Sequence, residues 1–363
     1  MSMLKDMLMK AVEVHASDVH LKTNHEPYYR VHGHLTESGF DKLGPEQMNG
    51  IVAELLPVYL QKIYEVEHEA DFSHQEPGVG RFRVNLYFSQ GEHTFAMRHV
   101  NDSIPTFEKL KLPLQLKSLA SVQRGIVLVC GTTGSGKSTT LAAIIGEINR
   151  TSRRRIITVE DPIEYMFVDD QSVISQREVG LDTLSFQNAL KHMMRQDPDV
   201  ILIGEMRDRI SIRTALLAAE TGHLVLSTLH AGSASLSVPR MLDVFPAEEQ
   251  DQIRLALAGN MHAAICQRLI PSTQGGVVPA VEILINTSTV RKLLEKNMID
   301  VLGAAIETGK EDGMQSFNQA MYNLIKSGLI TEKEGMLFAT NPESLRMNLQ
   351  GIFLDEGNRI LGV

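Results

Sequence analysis

The stretch Ile126-Val127-Leu128-Val129-Cys130-Gly131-Thr132-Thr133-Gly134-Ser135-Gly136-Lys137-Ser138-Thr139 decides the fold. Its first five residues are apolar without alternation, as in a strand covered on both faces of an α/β sheet. Gly131 to Ser138 then fit G-x-x-x-x-G-K-[ST], the phosphate-binding loop. Glycines at these places let the backbone take positive φ and approach phosphate oxygens closely. Successive N–H groups then point at the anion at the start of the next helix. Lys137 is spaced to reach the β- and γ-phosphates, and Ser138 to offer its hydroxyl to Mg²⁺. Thr132, Thr133, Ser135 and Thr139 complete the nucleotide-binding run. The reading requires a strand before the loop and a helix after it, and the sequence predicts both, the helix over 138–149.

Working outward, the apolar runs 156–159, 200–203 and 224–229 predict further strands, with helices over 185–196 and 208–221 between them. Two runs end in acidic clusters: Glu160-Asp161-Pro162-Ile163-Glu164 and Gly204-Glu205-Met206-Arg207-Asp208. Ligands of open α/β sheets bind at the carboxyl ends of strands, so both clusters belong beside the phosphate loop. Mg²⁺ takes hard oxygen ligands and hydrolysis takes a carboxylate that orients water. The same residue types also cap helices, which is the competing reading. The usual P-loop pattern places Asp directly after the apolar strand. Here Gly204 stands there, so a metal contact falls to Glu205, directly or through water. The run Thr221-Gly222-His223-Leu224-Val225-Leu226-Ser227-Thr228-Leu229-His230 predicts a strand that His223 precedes and His230 ends, and a histidine at a strand's carboxyl end either meets a γ-phosphate or serves the structure alone. His32 and His34 lack the further ligands that zinc requires.

The first hundred residues read as a separate α+β domain: a helix over 3–16, strands over 18–22 and 28–35, a helix over 46–64, and a hairpin of strands 81–88 and 93–100. The outward row of that hairpin carries Arg81 and Arg83, with Arg98 on the return strand. These are solvated side chains or arginine fingers; the pattern alone favours the first. Residues 101–120 read as a linker, 121–288 as the α/β nucleotide-binding core, and 289–363 as a helical C-terminal region.

Composition narrows the function. Among 363 residues, Lys+Arg 35 against Asp+Glu 44 gives a net charge of −9, which disfavours general nucleic-acid binding. Arg153-Arg154-Arg155 reads as an exposed loop. Two cysteines, Cys130 and Cys266, suggest neither a disulfide framework nor a zinc site and fit a reducing cytoplasm. No apolar run is long enough to span a bilayer, so membrane association is expected only through a partner.

At this point the residues resemble a family. Gly131–Ser138, 157–165, 197–208 and 221–230 are similar, in order and spacing, to the four boxes of the secretion and pilus ATPases. Ala16-Ser17-Asp18-Val19-His20-Leu21, Arg30-Val31-His32-Gly33 and Val244-Phe245-Pro246 resemble the type IV pilus retraction ATPases of the PilT/PilU branch. That resemblance implies a RecA-like P-loop core behind a PAS-like N-terminal domain, assembled as a hexameric ring with ATP and Mg²⁺ as cofactors. It also implies residue roles: Glu164 activates water, Glu205 lies on the Mg²⁺ side, His230 and His223 contact the γ-phosphate, and Arg83 and Arg98 contact phosphates. The expected function is ATP-driven pilus retraction through an inner-membrane platform protein, from the cytoplasmic side. The absence of a further N-terminal domain and of a four-cysteine zinc insertion favours retraction over extension or secretion. Thr289-Val290-Arg291-Lys292-Leu293 departs from the retraction motif Ala-Ile-Arg-Asn-Leu, and the tail over 341–351 is closer to the accessory branch. An accessory motor beside a second retraction ATPase is therefore the alternative. A P-loop kinase, a nucleotide switch or a scaffold without turnover would share the phosphate loop alone.

Overall fold

The computed structural model describes residues 2–31, 33–100 and 103–352. The chain divides into two compact units. The first comprises Met1–Ser103 with Pro162–Met166 and Glu178–Leu184; the second comprises Ile104–Asp161, Phe167–Arg177 and Ser185–Val363.

In the first unit, α1 (Met3–Glu13) starts where the Ser2 hydroxyl accepts the Lys5 N–H, and buries Leu4, Met7, Leu8 and Ala11. The strands are β1 (Asp18–Lys22), β2 (Tyr28–Val31), β3 (His34–Glu37), β4 (Glu69–Glu76), β5 (Gly80–Ser89) and β6 (Glu92–Val100). They form one antiparallel sheet in the order β3-β2-β1-β6-β5-β4. The single strand expected over 28–35 is two, because the chain reverses at Gly33 with φ +84°; His32 lies outside the described residues. The single helix expected over 46–64 is α2 (Pro45–Leu55) and α3 (Val58–Glu67). Pro57 explains the break: it forces Leu56 out of the helical region, to ψ 114°.

The second unit holds a seven-stranded sheet in the order β13-β12-β7-β11-β10-β8-β9. Its strands are β7 (Gly125–Cys130), β8 (Arg155–Glu160), β9 (Val173–Glu178), β10 (Val200–Glu205), β11 (Leu224–Leu229), β12 (Met261–Pro271) and β13 (Val277–Ile285). β12, β7, β11, β10 and β8 run parallel, and β13 returns antiparallel to β12. All six residues of β7 are buried, as a strand without a polar face requires. The helices are α4 (Lys137–Thr151), α5 (Phe186–Met193), α6 (Arg209–Glu220), α7 (Ser237–Leu242) and α8 (Ala247–Asn260). They continue with α9 (Ser288–Glu295), α10 (Leu302–Thr308), α11 (Phe317–Lys326), α12 (Glu332–Phe338) and α13 (Pro342–Leu349). α4 buries Leu141, Ile144, Ile145 and Ile148 against the sheet, each contributing about 1.5–3 kcal/mol of hydrophobic stabilisation.

The stretch expected as a linker is packed: Phe107, Leu112, Leu116 and Leu119 sit in the same core as Val127 and Ile144. Its prolines and charges suggested exposure, but leucines at short helical spacing supply an apolar stripe. Among the described residues, no helix is long and apolar enough to cross a membrane.

Candidate nucleotide site

The site starts where β7 ends. Gly131 follows Cys130 with φ 144°, Gly134 has φ 77° and Gly136 φ 88°, so each required glycine occupies a backbone region that L side chains rarely adopt. At Gly131 space adds to conformation. A Cβ there would lie 2.4 Å from the Ser135 Oγ and 2.8 Å from the Gln267 carbonyl oxygen. The loop is pinned by the Gly131 N–H donating to Leu229 O at 3.3 Å and the Ser135 N–H donating to Thr132 O at 3.2 Å. Lys137 folds over it, its Nζ donating to Gly131 O at 3.1 Å and Thr132 O at 2.9 Å. Gly136 begins α4 without a side-chain cap, which leaves the positive end of the helix open to an anion. The Ser135 Oγ is buried with no hydrogen-bond partner among the described residues. A cradle closed to a Cβ, an uncapped helix start and an orphaned hydroxyl all fit a bound phosphate chain.

Beside the loop, the second acidic cluster resolves into three different jobs. β10 carries a bulge: Ile203 pairs with Ser227, yet Glu205 pairs with Thr228, the very next residue. Gly204 is the extra residue. A Cβ on it would meet the Val159 carbonyl oxygen at 3.1 Å, tighter than side chains ordinarily tolerate. Packing against β8 thus displaces the acidic residue by one position, which is why it is Glu205. Its carboxylate lies 3.3 Å from the His230 Nε2 and 2.6 Å from an Arg207 guanidinium nitrogen. Asp208 is a helix cap: its Oδ1 accepts the Ser211 N–H at 2.8 Å and the Ser211 hydroxyl completes the box. In the first cluster, Glu160 is buried at the end of β8 and accepts the Thr158 hydroxyl at 2.6 Å and the Gln176 amide at 3.2 Å. Asp161 is exposed.

The two histidines separate. His230 follows the carboxyl end of β11 beside Glu205, whereas His223 precedes its amino end, where its carbonyl accepts the Gly125 N–H at 3.0 Å. Six residues of strand, about 20 Å, lie between them. The expectation that His223 meets the same γ-phosphate is therefore corrected within this chain. Its Nδ1 lies 2.9 Å from Ala218 O, and it lines a polar cavity of about 380 Å³ at the far edge of the sheet with Arg153, Arg154 and Asp199. Arg154 is half-buried and donates to Val122 O at 2.7 Å, so the arginine tract is not simply an exposed loop.

Glu164, Arg83 and Arg98 belong to the first unit. Glu164 is exposed, next to Ile163, whose N–H donates to the buried Glu178 carboxylate at 3.0 Å. Arg83 and Arg98 are exposed and directly paired across β5 and β6. Like charges directly opposite repel, unless an anion shares them. Arg98 reaches Asp18 at 2.9 Å. Arg81 departs from the solvated row expected for it. It is mostly buried in an ion pair with Glu178 at 2.9 Å, and Ser73 donates to the same carboxylate. It holds the segment Glu178–Leu184 onto its sheet.

Among the described residues no three His, Cys, Asp or Glu converge as a metal cage. A hydroxyl from Ser138 and a nearby Glu205 suit Mg²⁺ held mostly by phosphate and water. Cys130 and Cys266 pair across β7 and β12, and burial pushes both thiols up, Cys266 to about 12, which makes them packing groups. Gln267 was missed in the sequence because a lone buried amide carries no motif; only the register of β12 against β7 brings it to the loop.

The chain is similar to known proteins over most of its length. The family model for Type II/IV secretion system protein matches residues 80–322. The chain is 42% identical over 320 residues to a twitching motility protein of Neisseria gonorrhoeae, covering 88% of this chain and 86% of that one. It is 38% identical to the type IV pilus ATPase PilU of Pseudomonas aeruginosa, covering 95% of this chain and 90% of that one. The crystal structure of the pilus retraction motor PilT with bound ADP superimposes with a TM-score of 0.89 at 39% identity, covering 95% of this chain and 99% of that one.

Proposed function

This chain belongs to the Type II/IV secretion system protein family, and from that membership we propose that it is an ATP-hydrolysing motor of type IV pilus retraction. The observation that carries the reading is the phosphate loop, Glu205 and His230 gathered at the carboxyl edge of one sheet, on a chain that matches an ADP-bound retraction motor over 95% of its length. ATP supplies the phosphoryl group and Mg²⁺ its charge neutralisation. Gly131 to Thr139 would hold the phosphates, Ser138 would ligate Mg²⁺, and Glu205 would orient its water shell. Glu164 would accept the proton of the attacking water. His230, held by Glu205, would donate to the γ-phosphate. Loss of that phosphate changes what His230 touches, and a motor needs such a difference between states.

The working assembly in this reading is a homo-hexamer at the cytoplasmic side of the inner membrane, acting on pilin through a platform protein. Deleting the protein should leave cells whose pili assemble but shorten poorly, as labelled pili would show under the microscope. Loss of assembly would place the motor on the extension side. Normal shortening that stalls only under high load would favour the accessory reading, which the altered Thr289–Leu293 keeps open. Steady phosphate release without a phosphorylated acceptor separates a motor from a kinase.

Arg83 and Arg98 give a sharper test. Both guanidinium groups are exposed, and the buried Asp18 that Arg98 meets also keeps the Ser17 hydroxyl at 2.8 Å and Arg30 at 4.0 Å. Arg83→Ala and Arg98→Ala should each cut turnover roughly tenfold or more while the melting transition hardly moves. Early melting with normal turnover per folded molecule would make both structural. Arg81→Ala is the control: breaking its buried pair with Glu178 should cost about 3–5 kcal/mol.

A further inference from the structure

We propose that Gln267 and Arg268, consecutive on β12, form a relay that reads the phosphate loop on one face of the sheet and moves the C-terminal helices on the other. The inference rests on the nucleotide-site reading above and extends it to the way the motor transmits its state.

Successive strand residues point to opposite faces, and here the two faces have different neighbours. On the first face, Gln267 is 2% exposed and its Oε1 is buried with no hydrogen-bond partner among the described residues. Its Nε2 would lie 4.0 Å from a Cβ on Gly136, and its own carbonyl oxygen 2.8 Å from one on Gly131. A buried amide left without a partner costs about 1–3 kcal/mol by the usual measure of an unmade bond. We assign the missing partner to the nucleotide-bound state of the loop beside it. The phosphate loop is the element beside it that must rearrange, because the Lys137 Nζ, now on Gly131 O and Thr132 O, has to turn to phosphate when nucleotide binds.

On the other face, Arg268 touches two segments. Its Nη2 donates to Gly232 O at 3.4 Å, two residues past His230, and its Nη1 donates to Phe338 O at 2.7 Å, at the end of α12. Its guanidinium lies 3.8 Å over the Phe317 ring, at the start of α11. Glu282 on β13 closes the arrangement. It is 8% exposed and accepts the Ala234 N–H at 2.6 Å, within the loop that leaves His230. Burial pushes its carboxyl up, while the Ala234 N–H, the nearby Arg268 charge and the Phe317 N–H hold it down. Loop, strand and helices therefore meet at one guanidinium and one carboxylate. A shift of either the phosphate loop or the His230 loop changes the seat of α11 and α12.

Hydrogen exchange on the full chain, with and without ADP and with a non-hydrolysable ATP analogue, tests this alongside steady-state turnover. In the wild type, amides over 315–341 should slow several-fold on nucleotide binding. Arg268→Lys keeps stem and charge but loses the fork; it should still bind ADP while the response over 315–341 disappears. Gln267→Ala should raise KM for ATP roughly tenfold. A full response over 315–341 in Arg268→Lys overturns the relay. So does the absence of a nucleotide response there in the wild type, or unchanged KM and kcat in Gln267→Ala. ADP-induced protection does not depend on turnover. A wild type that is protected by ADP yet releases no phosphate would sink the motor reading and leave the relay standing.

Discussion

Lys137→Ala is expected to abolish ATP turnover, lowering kcat/KM at least about 10²–10³-fold. The magnitude follows from what the ammonium does. A phosphoryl-transfer transition state spreads negative charge over three equatorial oxygens, and little covalent chemistry is left for the protein beyond positioning and neutralising it. Lys137 stands at the first residue of α4, its Nζ within hydrogen-bond distance of two loop carbonyls. It is thus already drawn over the place where phosphate oxygens would lie. The alanine variant keeps the glycine conformations and the uncapped start of α4, so its fold should persist and its melting transition should move little. Measuring phosphate release beside a melting curve checks both halves. Turnover near the wild-type rate in a folded Lys137→Ala protein would mean that chemistry occurs elsewhere in the molecule.

Why the site was partly legible in the sequence, and partly not, has physical reasons. Fully apolar runs such as Ile126 to Cys130 can only be buried strands when glycine loops follow them, so the parallel sheet and the phosphate loop came through plainly. The capping role of Asp208 was one of two readings open to any acid ahead of a helix, and only the Ser211 hydrogen bonds choose between them. The bulge at Gly204 is a packing effect between two strands, and no pattern within one strand announces it. The β12–β13 hairpin escaped because Arg268, Glu282 and Gln267 interrupt its apolar alternation. Those residues are polar because of what they meet across the sheet. His230 ends the expected strand and His223 precedes it, and a strand separates residues at its two ends by its whole length.

Glu164→Gln should leave ATP binding intact and lower hydrolysis about 10²–10⁴-fold, the range expected when a general base is lost. The amide has nearly the shape of the carboxylate and can still accept a hydrogen bond from water, but it cannot take the proton as the γ-phosphate is attacked. Nothing in the fold depends on the charge: Glu164 is exposed, and the neighbouring backbone is fixed instead by Ile163, whose N–H binds the Glu178 carboxylate. That carboxylate also carries the buried Arg81 pair, so the segment bearing Glu164 is anchored to its unit through groups the substitution leaves untouched. A fluorescent-nucleotide titration beside a phosphate-release assay separates the two functions. Tight binding with slow turnover assigns the base. Weak binding with an unchanged rate per bound ATP would move Glu164 to a binding role and shift the search for the base to Glu160 or Glu205. Those carboxylates are already engaged: Glu160 accepts the Thr158 hydroxyl and the Gln176 amide, and Glu205 sits between Arg207 and His230.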